Sequence, residues 1–158
     1  MTALVVIGDS TTTITVDGET FTIACGSVSL GTRHIVTDPP LPEELTNAIG
    51  EMVDHIDDVK RELPAVVEAA TVTVSGIVAR VMAAVEVGGP VHADTFVLGR
   101  DAAEDVFRTL ATEPAADRRH NPGLPPELVD TIVGGCCVMV GLIRGLQLDA
   151  VTVQLGRP

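Results

Sequence analysis

Short runs of β-branched and apolar residues dominate the start of the chain, and turn residues separate them. Ala3 to Ile7 is apolar and is closed by Gly8-Asp9-Ser10. Thr12 to Val16 and Thr20 to Ala24 flank the pair Asp17-Gly18. An Asp-Gly pair between two β-prone runs supplies the positive-φ positions of a tight turn, so these runs are expected to form a hairpin. Val28 to Val36 reads as another extended segment, and the opening is expected to be a three-stranded meander.

The apolar spacing then changes to three and four. Asp38 to Pro42 is too rich in proline for a central strand, whereas Pro42 suits the first position of a helix, where its missing N–H is not needed. From there Leu45, Ile49, Met52, Ile56, Val59 and Leu63 form one stripe, with Glu51, Asp54, Asp58 and Glu62 facing elsewhere. Pro64 ends that helix. Thr71 to Ser75 reads as a strand running through Gly76 into a helix from Ile77 to Val85. Val91 to Leu98 reads as a strand, and Asp101 with Glu104 as the capping box of a helix reaching Ala111. Glu113 to Pro126 is a polar loop. Glu127 to Leu146 is apolar nearly all round and carries Gly134, Gly135, Gly141 and Gly145, which predicts a central buried helix closely approached by its neighbours. Val151 to Leu155 is the last strand.

Composition narrows the class. A chain of 158 residues, 46% hydrophobic, is sized for a single domain spanning 1–158, and an aromatic content of 2% leaves the core to Val, Ile, Leu and Ala. The expected fold is α/β, a mixed sheet of about five strands with helices packed on it. A net charge of -12 argues against nucleic acid as a partner, since binding to phosphate backbones rests on Lys and Arg displacing counterions. No apolar stretch is long enough to span a bilayer and no leader opens the chain, so a cytoplasmic protein without a membrane partner is expected. Met1 directly before the first strand is read as a natural start.

Candidate chemistry is sparse. Gly8, Asp9, Ser10, Thr11 and Thr12, joined by Gly76 at the second strand-to-helix turn, are the candidate phosphate-binding residues, because successive N–H groups and hydroxyls in a tight turn hold anions. An ordinary Asp/Ser/Thr turn uses the same residues. Asp54, His55, Asp57 and Asp58 are read as a solvated helix face rather than a metal cluster. Arg118, Arg119 and His120 form a basic run in an exposed loop. His34 and His92 sit in strand-like stretches without a nucleophile at a telling spacing. Cys25, Cys136 and Cys137 have no ligand spacing and are expected as reduced, buried thiols. No catalytic residue and no metal ligand is assigned.

Several of these stretches carry a family resemblance that runs from Leu4 to the end. Val6-Ile7-Gly8-Asp9-Ser10-Thr11-Thr12-Thr13 is similar to the phosphate loop D-I-G-G-G-S-T-E of the Ppx/GppA family of exopolyphosphatases and guanosine pentaphosphate phosphatases. Ile7, Gly8 and Thr12 agree and Thr11 conservatively replaces Ser; Val6, Asp9, Ser10 and Thr13 depart, and with Val6 and Thr13 the loop loses both carboxylates of that pattern. Ser29-Leu30-Gly31 and Val74-Ser75-Gly76 resemble further family segments, the second through Gly76 alone. Asn121-Pro122-Gly123-Leu124, Asp130 and Gly135 are similar to the family's N-P-G-L-x-x-x-R-A-D and following glycine, with Leu128 and Val129 in place of Arg and Ala. Val153 to Arg157 echoes its closing segment. The resemblance implies the second ribonuclease-H-like subdomain of a two-half protein of the actin-like ATPase superfold. It also implies a phosphate or nucleotide ligand, with Mg²⁺ if a phosphorylated ligand is bound. Catalysis in that family uses both halves, so the expected partner is a second copy or a separate first-half protein, and independent hydrolysis is not expected. The alternatives are hydrolysis of polyphosphate or guanosine pentaphosphate assembled from two copies or with that partner, and a purely structural or regulatory interaction module in which the helix from Glu127 to Leu146 supplies part of a dimer interface.

Overall fold

The structure, a computed structural model, describes residues 1–156; Arg157 lies outside them. Strand β1 (Thr2–Ile7) pairs antiparallel with β2 (Thr12–Val16), which pairs antiparallel with β3 (Glu19–Ile23). Asp17 and Gly18 both take positive φ, 52° and 78°, the backbone a two-residue hairpin turn requires. Along β1 the side chains alternate strictly: Ala3, Val5 and Ile7 are buried while Leu4 and Val6 are half exposed.

Ser27–His34, expected to be extended, is instead helix α1. The amides of its first turn are satisfied from a distance. Ser27 N–H donates to Gly8 O at 2.9 Å, and those of Val28 and Ser29 donate to Asp9 O at 2.9 and 3.0 Å. Ser29 Oγ accepts the Gly26 N–H at 2.9 Å, adding a local cap. Helix α2 (Pro42–Glu62) begins at Pro42 and buries the expected stripe, Leu45 only in part.

Strand β4 (Thr71–Ser75) lies parallel to β1, Ala3 opposite Val72 and Val5 opposite Val74, and turns at Gly76 into α3 (Ile77–Val87). Strand β5 covers only Thr95–Gly99. Helix α4 (Arg100–Thr112) starts from Gly99, so Asp101 is inside the first turn and no capping box forms; Glu104 instead accepts two hydrogen bonds from Arg144, each 2.8 Å. A short helix, α5 (Ala115–Arg118), interrupts the polar loop. The last helix, α6 (Ile132–Leu146), is shorter than its apolar run because Pro125 and Pro126 hold the preceding residues in a 3₁₀ turn. Strand β6 (Ala150–Gln154) completes a six-stranded sheet of order β3-β2-β1-β4-β6-β5, one strand more than expected.

One face of this mixed sheet is buried under the helices and the other is open, exposing Leu4, Val6 and Val97. Helix α6 is the centre of the helical layer, in contact with α1, α2, α3 and α4. Its glycines permit that approach: a Cβ on Gly134 would meet Ser27 O at 2.6 Å, and one on Gly145 would meet Ile56 at 2.7 Å. Every residue from Ile132 to Ile143 is buried within the chain. An interface between chains built on α6 would therefore need this layer to open. Among the described residues, no helix is long and apolar enough to cross a membrane.

Candidate functional site

The candidate phosphate loop joins β1 to β2. Its carbonyls are engaged: Thr11 O accepts the Gly8 N–H at 2.9 Å, while Gly8 O and Asp9 O hold the start of α1. Among the described residues, the amides of Asp9, Ser10 and Thr11 donate to no protein acceptor. Three successive unused donors on exposed residues are the raw material of an anion site. Asp9 sets a carboxylate among them. One carboxylate combined with phosphate oxygens is a donor set Mg²⁺ accepts, so the loop fits that ion only as the companion of a bound phosphate.

Thr12 plays a different part. Its hydroxyl is fully buried and donates to Cys25 O at 2.8 Å, tying β2 to the end of β3 rather than facing a ligand. Gly76 does sit beside the loop. A Cβ there would lie 2.5 Å from Ile7 O, and its φ of 114° is closed to other residues, so this glycine is required by the packing of β1 against β4. Gly26 closes the other side, its missing Cβ 2.5 Å from Gly8 O and Ser10 N. A pocket of about 160 Å³ adjoins the loop, lined by Asp9, Ser27, Val28, Ile77, Val78 and Thr131 among others. The loop, the starts of α1 and α3, and the turn before α6 thus converge on one spot.

The Asn121-Pro122-Gly123-Leu124 stretch is a turn docked on the end of α3. Asn121 Oδ1 accepts the Gly123 N–H at 3.0 Å, and a Cβ on Gly123 would meet Ala84 backbone at 2.6 Å. Arg118, expected on an exposed loop, is only 4% exposed. Its guanidinium donates to the carbonyls of Leu110, Val129 and Glu113 at 2.9, 2.6 and 2.8 Å, so it clasps α4 to the turn before α6. Arg119, His120, His92 and Asp130 are exposed. Cys136 and Cys137 are fully buried, and desolvation pushes both thiols up, Cys137 to about 12.

A second constellation lies between α1 and α2, and chain spacing gives no sign of it. Glu51 accepts from Arg33 Nε at 3.0 Å and from its Nη2, and its oxygens lie 2.8 Å from His34 Nε2 and 3.1 Å from His55 Nε2. The Arg33 hydrogen bond, followed by those of His34 and His55, holds the Glu51 carboxyl down at about 2. Cys25 adjoins this group from the end of β3, and burial with the nearby Glu51 charge pushes its thiol up to about 11. Asp54 and Asp57 of the acidic face point to solvent.

No family model and no curated protein matches the chain. Solved structures do. An exopolyphosphatase-like protein superposes with a TM-score of 0.87 at 21% identity over 97% of this chain and 55% of its own. The chain has the fold of about half of a Ppx/GppA phosphatase. The Ppx/GppA phosphatase of Aquifex aeolicus matches at TM-score 0.86 and 18% identity, over 97% of this chain and 52% of that one. An exopolyphosphatase from Cytophaga hutchinsonii gives 0.77 at 14% identity, over 98% and 53%. The chain therefore spans about half the length of the Ppx/GppA structures it resembles.

Proposed function

We propose that this chain is the second half of a Ppx/GppA-like architecture, acting by binding phosphate or a nucleotide phosphate at Gly8–Thr11 or by pairing with another chain. It does not hydrolyse phosphoanhydrides on its own. The observation that carries this reading is the loop itself: three successive amides without acceptors among the described residues, in a chain that covers about half of each structure it superposes on. In-line attack on a phosphoryl group needs stabilising groups around the transferring phosphate and a base for the nucleophile. Here the loop offers one carboxylate, Asp9, with Val6 and Thr13 at the positions of the family's acids.

The test is a thermal-shift series with phosphate, pyrophosphate, short polyphosphate, ADP, ATP and guanosine tetraphosphate, each with and without Mg²⁺. A ligand at a hundred times its dissociation constant stabilises by about 2.7 kcal/mol. The expected result is a shift with at least one of these that is lost in Gly8→Val, and no phosphate release from polyphosphate by the monomer. Clean turnover by the monomer would overturn the reading, and silence from every ligand would leave pairing alone.

A second reading is favoured by the coverage, since the chain matches only about half of each Ppx/GppA structure and the other half of a cleft would come from another chain. Two copies, or a first-half partner, would rebuild the cleft for polyphosphate or guanosine pentaphosphate hydrolysis. It predicts Mg²⁺-dependent turnover rising steeply with protein concentration.

A further inference from the structure

We propose that Cys25, Glu51 and His55 form a three-ligand binding site for a thiophilic divalent cation of the Zn²⁺ type, with the fourth position of the tetrahedron left to water. One ligand atom from each of Cys25, Glu51 and His55 lies within 4.8 Å of the others. A tetrahedral zinc ion with bonds of roughly 2.0–2.3 Å sets its ligands about 3.3–3.8 Å apart, so side-chain rotation of about an ångström closes the set. A thiol with imidazole and carboxylate selects zinc-like ions over Mg²⁺ and Ca²⁺, which prefer oxygen alone.

The scaffold is firm. Glu51 and His55 are one turn apart on α2 and share a face. Cys25 is fixed at its backbone by the buried Thr12 hydroxyl, and His34 reaches Glu51 Oε1 from the last turn of α1. The side chains of Glu51, His34 and His55 are 26%, 24% and 30% exposed, so solvent reaches these groups while Cys25 lies covered beneath them. This site is separate from the phosphate loop and does not depend on how that loop is used.

Arg33 is the group in competition. It holds the same carboxylate, and its side chain is 42% exposed, so it can swing into solvent when a cation takes its place. A merely structural cluster and a metal site therefore respond differently to its removal. Without metal chemistry, Arg33→Met only weakens the packing of α1 on α2. With a metal site, it removes a positive charge from beside the cation and strengthens binding.

The experiment is a titration of the purified, reduced chain with Co²⁺ alone, read by the ultraviolet absorption of thiolate-to-cobalt charge transfer, followed by displacement with Zn²⁺. One equivalent per chain is expected, with the absorption lost in Cys25→Ser, retained in a Cys136→Ala, Cys137→Ala double variant, and bleached by Zn²⁺. His55→Ala is expected to weaken Co²⁺ at least tenfold, and Arg33→Met to bind it several-fold more tightly. Circular dichroism checks that each variant is folded; should Cys25→Ser unfold, the His55→Ala and Arg33→Met titrations decide. No stoichiometric absorption in the wild-type chain, or unchanged Co²⁺ affinity in both His55→Ala and Arg33→Met, would overturn the proposal.

Discussion

Gly76 shows how one residue can serve a fold and still look like a ligand motif. Its φ of 114° lies in a region that only glycine occupies freely, and a side chain would drive into Ile7 O at 2.5 Å. We predict that Gly76→Ala destabilises the chain by at least about 1–3 kcal/mol, read as a fall in the urea midpoint with an unchanged slope. A neutral outcome would mean that the β4-to-α3 turn can relax. Thr12 makes the same point from its side chain, because its buried hydroxyl holds Cys25 O and not a ligand. Neither role was legible along the chain: the pattern of glycines and hydroxyls marked the loop, but only the register of β1 against β4 distinguishes a packing glycine from a phosphate-binding one.

Among the elements, α2 was the best foretold, since Pro42, the apolar stripe and Pro64 mark its start, face and end. Its start is reinforced by Glu44, whose carboxylate accepts the N–H groups of Leu41 and Val36 at 2.8 and 2.9 Å. The Leu41 amide, then that of Val36, holds the Glu44 carboxyl below its ordinary value of 4.5. A carboxyl lowered in the folded state contributes stability that is complete above its unfolded pKa and is lost as pH falls through the folded one. The melting temperature of Glu44→Ala should therefore fall below that of the native chain at pH 7, and the gap should close as pH drops beneath 4.5. A gap independent of pH would assign the effect to packing. Helix α1 was the opposite case. Its β-branched residues favour a strand locally, yet the carbonyls of Gly8 and Asp9, far back in the chain, satisfy its first amides.

At the scale of the whole molecule, the glycine faces of α6 decide how tightly the helical layer closes. A side chain at Gly134 would enter the backbone of α1, 2.6 Å from Ser27 O and 2.9 Å from Gly31 Cα. Gly134→Val is expected to cost at least about 1–3 kcal/mol by overpacking. Gly50 is the contrast, an exposed helical glycine with nothing within 4 Å of its missing Cβ. Gly50→Ala should stabilise by about 0.5–1 kcal/mol through backbone entropy. Equal effects at the two positions, measured by chemical denaturation, would contradict the central placement of α6.

The Asp17-Gly18 hairpin, the α2 stripe, the strand-to-helix turn at Gly76 and the burial of α6 follow from local periodicity and turn chemistry, which act over a few residues and can be seen in them. The helical state of α1, the burial of Arg118 and the meeting of Cys25, His34, Glu51 and His55 do not. Each depends on groups contributed by separate segments: carbonyls before β2 that cap α1, three backbone oxygens that hold Arg118, and two helices whose packing places histidines on either side of one glutamate. Such contacts exist only once the chain has closed, because no residue carries a mark of the distant partner that will satisfy it.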